Sequence, residues 1–281
     1  MSLQNLKIFD AAENLNCLVR TTEKIRDRHF YCIENDFAIG KLLRNGFYWE
    51  LYMLDFYKFF YIEGTDVIDV GGNMGTNTLL FDEIVSKYNC IFTFEPIYHQ
   101  IIQKTLDENN ISRQRVTVYP IGLSNERHEV TFSIYPWNTY CNYGATSMSK
   151  EEDLPQDRIS VYQGNTSVTL DVVPLSSFNF SRRVSLIKID VEGFEINVLK
   201  GMMSFINIHQ PTIFIEIWKH KLDEFLQSQE AKELFIILKY KLAKIKNSAY
   251  FDCEVDEDDY ILYHGEIPNN LFNLQLFNVL Y

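Results

Sequence analysis

The chain contains no run of apolar residues approaching the roughly 20 needed to cross a bilayer. No lysine or arginine cluster strongly interrupts its acidic balance either, in which 38 acidic residues outweigh 26 basic ones for a formal net charge of −12. Nucleic-acid binding needs a cationic footprint, and an anionic membrane surface attracts one, so both are disfavoured as partners. The five cysteines, Cys17, Cys32, Cys90, Cys141 and Cys253, include no Cys-x-x-Cys pair. That spacing argues against a zinc site and for free thiols in a reducing compartment. The start, Met-Ser-Leu-Gln-Asn, lacks the basic-then-apolar order of a signal peptide, so a cytoplasmic location is expected. The chain also has no internal repeat and no low-complexity tract.

What is present is globular: 46% hydrophobic and 15% aromatic content excludes a disordered chain. The organising stretch is Val67 to Gly75, Val-Ile-Asp-Val-Gly-Gly-Asn-Met-Gly. Val67, Ile68 and Val70 read as a short buried strand, and the glycines force a turn that Thr78-Leu79-Leu80-Phe81 continues as a helix. Strand, glycine turn and helix make a nucleotide cradle, in which Gly71, Gly72 and Gly75 admit a close ligand and the first helical N–H groups face it. A dinucleotide cradle wants a second glycine where Asn73 stands. Asp69 at the strand end would repel a pyrophosphate and suit a cationic amino acid moiety. The combination favours S-adenosylmethionine over NAD, and a variant phosphate or NAD turn is the alternative.

Read in order, residues 1–28 suggest a helical lead-in, and Phe30–Ile33 with Ala38–Leu42 suggest a hairpin turned at Asn35 and Asp36. Glu50–Ile62 is an aromatic helix. Ile91–Glu95 is a second buried strand ending in an acid at roughly the 20-residue offset at which a carboxylate meets ribose hydroxyls. Pro96 stops that strand before a helix over Tyr98–Asn109, and Val116–Tyr119 is a third strand, giving the βαβαβ order of half a doubly wound sheet. Glu129–Tyr135 and Ser167–Val173 alternate as strands around a polar stretch, 136–165, which reads as a substrate lid or a surface insertion. Val184–Asp190 and Thr212–Ile217 are further core strands, and 219–246 reads as an amphipathic, lysine-rich helical region. Two last strands are expected near Tyr250–Cys253 and Asp259–Tyr263, with the acidic run Glu254–Asp259 as a solvated tip.

Taken together, Asp69-Val-Gly-Gly-Asn-Met-Gly with Thr78, Phe94-Glu95-Pro96, Thr169-Leu170-Asp171 and Ile187-Lys-Ile-Asp-Val-Glu-Gly-Phe-Glu195 with Gly201 resemble the FkbM family of S-adenosylmethionine-dependent methyltransferases. The resemblance runs from Glu50 to about Ile217. It implies a Rossmann-like class I methyltransferase fold of the α/β class, with a mostly parallel seven-stranded sheet and helices on both faces. The division that follows is an N-terminal helix and hairpin extension over 1–62 and a methyltransferase domain over 63–281. The resemblance also implies transfer to an oxygen, commonly a sugar or natural-product hydroxyl, and the reading here is a carbohydrate acceptor. A non-catalytic donor-binding module and another Rossmann nucleotide enzyme are the rivals. Gly72 stands where the family often has alanine, and that exchange is expected to be tolerated.

Ligands of open α/β sheets sit beyond the carboxyl ends of the strands, where Asp69, Glu95, Asp190 and Glu216 fall. Asp69 with Gly71, Gly72, Asn73, Gly75 and Thr78 is assigned to the methionine part of the donor. Glu95 with Pro96 is assigned to the ribose, and Ile121-Gly122 to the adenine edge. Glu50 either reaches the donor's amino group or is a surface acid. Asp190 is the first candidate for the base that deprotonates or orients the acceptor and also borders the donor, with Glu192, Glu195, Glu216 and His220 in reserve. Glu195 is more simply a carboxylate at a helix N-terminus. Asp190 and Glu216 on adjacent strands are the residues that would share magnesium or manganese if a metal takes part. Tyr135, Trp137, Tyr140 and Tyr143 are either sugar-stacking or packing residues.

Overall fold

The computed structural model describes residues 6–145, 166–245, 257–267 and 274–277. Near the N-terminus a short 3-10 turn, Ala12–Cys17, leads into β1 (Leu18–Thr22), which pairs antiparallel with β2 (His29–Ile33). The hairpin expected between Phe30–Ile33 and Ala38–Leu42 is therefore corrected: its partner lies upstream, in the stretch read as helical. The downstream segment is α1 (Ile39–Arg44). Asp36 accepts the Ala38 N–H at 2.7 Å, and Arg44 reaches back to the Ile33 and Asp36 carbonyls. These bonds close a helical turn that β propensity alone does not foresee.

After α2 (Met53–Phe60), the chain alternates β3 (Asp66–Val70), α3 (Thr76–Ile84), β4 (Ile91–Phe94), α4 (His99–Glu108) and β5 (Val116–Tyr119). Then β6 (Gly122–Leu123), β7 (His128–Ile134) and β8 (Thr166–Val173) form a separate three-stranded sheet. The chain returns through β9 (Val184–Ile189), α5 (Glu195–His209) and β10 (Thr212–Trp218). The main sheet has the order β13-β11-β12-β10-β9-β3-β4-β5 and is completed by β11 (Lys241–Ile245), β12 (Glu257–Tyr263) and β13 (Leu274–Phe277). It has eight strands where seven were expected. From β10 to β5 the pairings are parallel, and the three remaining strands add antiparallel at one edge.

The order reverses between β3 and β9, which places the crevice at their carboxyl ends. Both strands are buried along their whole length because both faces of the sheet are covered. Val67, Leu186 and Phe214 face the N-terminal elements, α3 and α4, while Ile68, Ile187 and Ile213 face α5.

The lysine-rich region 219–246 is not one helix. It breaks into α6 (Leu222–Gln227), α7 (Gln229–Lys232), capped by the Ser228 hydroxyl, and a π-helical turn over Glu233–Ile237. Lys239 then takes φ 60° and the chain enters β11. Good helix formers mask a strand here because burial of Leu242, Ala243 and Ile245 in the sheet outweighs propensity. The strand expected at Tyr250–Cys253 lies outside the described residues, as does 146–165 of the suggested lid.

Within 136–145, Trp137 and Tyr143 are buried and pack on Tyr98, and Tyr135 packs on Tyr143, so these three are packing residues. Tyr140 is 70% exposed and lies against Phe37.

Candidate active site

Side chains aligned across neighbouring strands point to one face, as do residues two apart along a strand. Asp69 is in register with Lys188, Lys188 with Phe214, and Glu216 with Asp259. Asp69, Lys188, Asp190, Glu216 and Asp259 therefore share the sheet face that the segment from Glu50 to α2 covers. Glu50 itself has φ 54° and accepts the Asn77 side-chain amide at 2.8 Å. Tyr57 donates to Asn77 Oδ1 at 2.8 Å, and Tyr52 donates to Asp259 Oδ2 at 2.6 Å. Asp259 is thus a half-buried member of the site and not part of a solvated tip.

One cation answers these acids among the described residues. Lys188 Nζ lies 2.6 Å from Asp190 Oδ2 and 3.8 Å from Glu50 Oε2. Burial opposes its charge, but Asp190, Glu50, Tyr57 and Asp69 outweigh that and raise its pKa. Asp69 is fully buried, and its Oδ2 accepts the Thr78 hydroxyl at 2.6 Å. Its Oδ1 has no partner among the described residues. Burial lifts its pKa to about 6 against the pull of Lys188 and Thr78. Burial, then Asp190, Glu192 and Asp259, raises the Glu216 pKa well above the usual carboxylate value, and Glu216 Oε1 is likewise buried without a partner among the described residues. Asp259 is pushed to about 7 by burial and then by Glu50. Asp190, Glu192 and Glu216 each offer a carboxylate oxygen within 4.8 Å of the others.

On the other side of the crevice Glu95 is fully engaged. Its Oε1 accepts the Ile97 and Tyr98 N–H groups at 2.8 and 3.0 Å, and its Oε2 accepts the Asn73 N–H at 2.8 Å. Burial still raises its pKa to about 7, while those three amides hold it down. Gly71, Asn73, Glu95, Pro96, Gly122, Asp190 and Glu192 line one pocket. Glu50, Asp69 and Thr78 are not part of that lining.

Gly72, Gly75 and Ile121 also lie outside that lining, with Gly72 and Gly75 against Ile102, and with Ile121 buried. Gly71 has φ 86°, and a Cβ there would lie 1.7 Å from the Asp190 carbonyl oxygen, so the neighbouring strand end forbids a side chain. A Cβ on Gly72 would come 2.4 Å from Thr93 Cγ2 inside the core, which corrects the expectation that alanine is tolerated there. Glu195 accepts the Gly193 N–H at 3.0 Å, the helix-start role expected of it. His220 is exposed on the short turn Lys219–Lys221, its ring 5.5 Å from that of Trp218.

Sequence reasoning missed Lys188, Tyr52 and Asp259 as site residues. Lys188 had a usable signal, since two residues before Asp190 on a strand means the same face. Asp259 and Tyr52 had none, because their meeting joins positions at opposite ends of the chain.

A family model described as the methyltransferase FkbM domain matches residues 69–243. The chain is 30% identical over 148 residues to Methyltransferase 1 of Beauveria bassiana (strain ARSEF 2860), a match covering 48% of this chain and 57% of that protein. It is 32% identical over 143 residues to the hexuronic acid methyltransferase AglP of Haloferax volcanii, covering 50% of this chain and 51% of that one. The chain thus spans about half the length of the curated relatives it matches. Among solved structures, a methyltransferase FkbM from Methylobacillus flagellatus KT superposes with a TM-score of 0.48 at 17% identity, over 74% of this chain and 48% of the other.

Proposed function

Because the chain belongs to the FkbM methyltransferase family, we propose that it moves a methyl group from S-adenosylmethionine to a hydroxyl of a carbohydrate. The carrying observation is the charge imbalance at the strand tips. Among the described residues, Asp69, Asp190, Glu216, Asp259 and Glu50 gather around one ammonium, that of Lys188, and Asp69 Oδ1 and Glu216 Oε1 are buried without partners. Buried carboxylates that lack compensation favour a cationic ligand, and a sulfonium donor with an amino group is one. The Haloferax volcanii relative, a hexuronic acid methyltransferase by name, supports a sugar acceptor. The net charge of −12 supports a small acceptor over nucleic acid. Unpaired thiols at Cys17, Cys32, Cys90 and Cys141 support a reducing, cytoplasmic setting.

When bound, the donor supplies an already activated methyl group, so the protein has to align the acceptor and take its proton. Asp190, at the crevice lining and at the end of β9, is assigned that proton as the methyl passes from sulfur to oxygen and leaves a neutral thioether. Asp69 is assigned to the methionine end, and Gly71 and Asn73 to the wall beside it. Glu95 and Gly122 are assigned to the nucleoside side. Asp190, Glu192 and Glu216 also form an all-oxygen donor set of the kind magnesium or manganese accepts, and such a cation would lower the pKa of the acceptor hydroxyl.

Calorimetry with S-adenosylhomocysteine, ATP and NAD tests the donor, and only the first is expected to bind. Labelled-methyl transfer to a panel of neutral and uronic-acid sugars tests the reaction. Asp190→Asn is expected to keep product affinity and lose turnover by roughly 100-fold or more. NAD binding in place of the thioether, or Asp190→Asn turnover equal to wild type, would overturn the assignment.

A further inference from the structure

We infer that Lys188 is a positioning residue for the transfer, acting through Asp190, an inference that rests on the methyl-transfer reading. Lys188 is 2% exposed, in the middle of the sheet, where an ammonium costs several kcal/mol unless it is paired. It sits two residues before Asp190 on the same strand face, and its Nζ holds Asp190 Oδ2 at 2.6 Å. That bond restrains the carboxylate through Oδ2, and Oδ1 is assigned to the acceptor. The same ammonium lies 3.8 Å from Glu50 Oε2, and Glu50 is held by Asn77 at the start of α3. Lys188 therefore ties the segment before α2 and the helix after the glycine turn to the carboxylate assigned to the chemistry.

A counter-ion with a purely structural role would need only a positive charge somewhere in this cluster. The short, strand-borne geometry toward one Asp190 oxygen selects orientation instead. A guanidinium reaches the same carboxylate with a different fork, so it should restore part of the function, whereas an isosteric apolar chain should restore none.

The test compares wild type, Lys188→Met, Lys188→Arg, Asp190→Asn and the Lys188→Met/Asp190→Asn pair. Three measurements are made: calorimetry with S-adenosylhomocysteine, crystal structures with that compound bound, and methyl transfer to whichever panel sugar wild type accepts. Lys188→Met is expected to keep thioether affinity within about threefold, show a rotated Asp190 carboxylate, and lower kcat about 100-fold with little change in donor KM. Lys188→Arg should recover kcat to within about tenfold of wild type, and the double variant should be no slower than Asp190→Asn alone.

A wild-type kcat in Lys188→Met, a parallel loss of thioether affinity, or full additivity with Asp190→Asn would overturn the inference. If Lys188→Met does not fold, the cycle of Lys188→Arg with Asp190→Asn decides by the same additivity criterion. If wild type methylates no sugar, the proposed reaction fails by itself, and the Asp190 orientation in bound Lys188→Met or Lys188→Arg crystals still decides whether the lysine holds it.

Discussion

The two banks of the crevice use the same chemical group in opposite ways. Glu95, at the tip of β4, accepts three backbone N–H groups and so builds the turn that launches α4. Asp69, at the tip of the adjacent β3, accepts one hydroxyl and leaves an oxygen buried without a partner among the described residues. A carboxylate held by amides belongs to the scaffold, although burial still raises its pKa. One left short of partners raises the energy of the empty protein and is relieved by a ligand of opposite sign. Position at a strand end thus does not assign a role, and the state of the hydrogen bonding does.

Asp69→Asn breaks the acidic bank and should have the largest effect, with affinity for S-adenosylhomocysteine falling about 100-fold by calorimetry. Its stability should move the other way. The folded pKa of Asp69 is about 6, above the ordinary 3.8. Between those values the folded protein holds a proton that the unfolded chain has released, so stability falls as pH rises through that window and stays lower above it. The asparagine variant escapes this loss. In urea unfolding it should exceed wild type by roughly 3 kcal/mol near pH 8 and by almost nothing near pH 4.

Glu95→Gln probes the satisfied bank. Burial raises the Glu95 pKa to about 7, so above that pH the glutamine variant escapes the same proton-linked loss as Asp69→Asn, offset by its lost amide bonds, and the contrast rests on thioether affinity, which should fall only about tenfold. An affinity loss equal to that of Asp69→Asn would erase the contrast between the banks. The smallest effect belongs to the glycine beneath both. Gly72→Ala should cost about 1 to 2 kcal/mol through its clash with Thr93, measured as a lowered Tm with unchanged donor affinity.

Much of the fold could be read from local pattern. The apolar runs at β3, β4, β9 and β10 and the glycine turn after Val70 are encoded within a few residues each, and the structure has them where they were expected. The misreadings share a cause. Ile39–Arg44 and Lys241–Ile245 take the conformation their neighbours impose, the first through Asp36 and Arg44 and the second through pairing with β12 and β13. Tyr52 and Asp259 share a hydrogen bond that no local pattern announces.

The sequence by itself determined which acids stand at strand ends and which glycines turn the chain, because alternation and turn chemistry are properties of short segments. Only the tertiary structure decided that Asp69, Asp190, Glu216 and Asp259 face one lysine while Glu95 is quenched by amides. Register between strands distant in the chain sets which side chains share a face, and that register is fixed by the packing of the whole sheet.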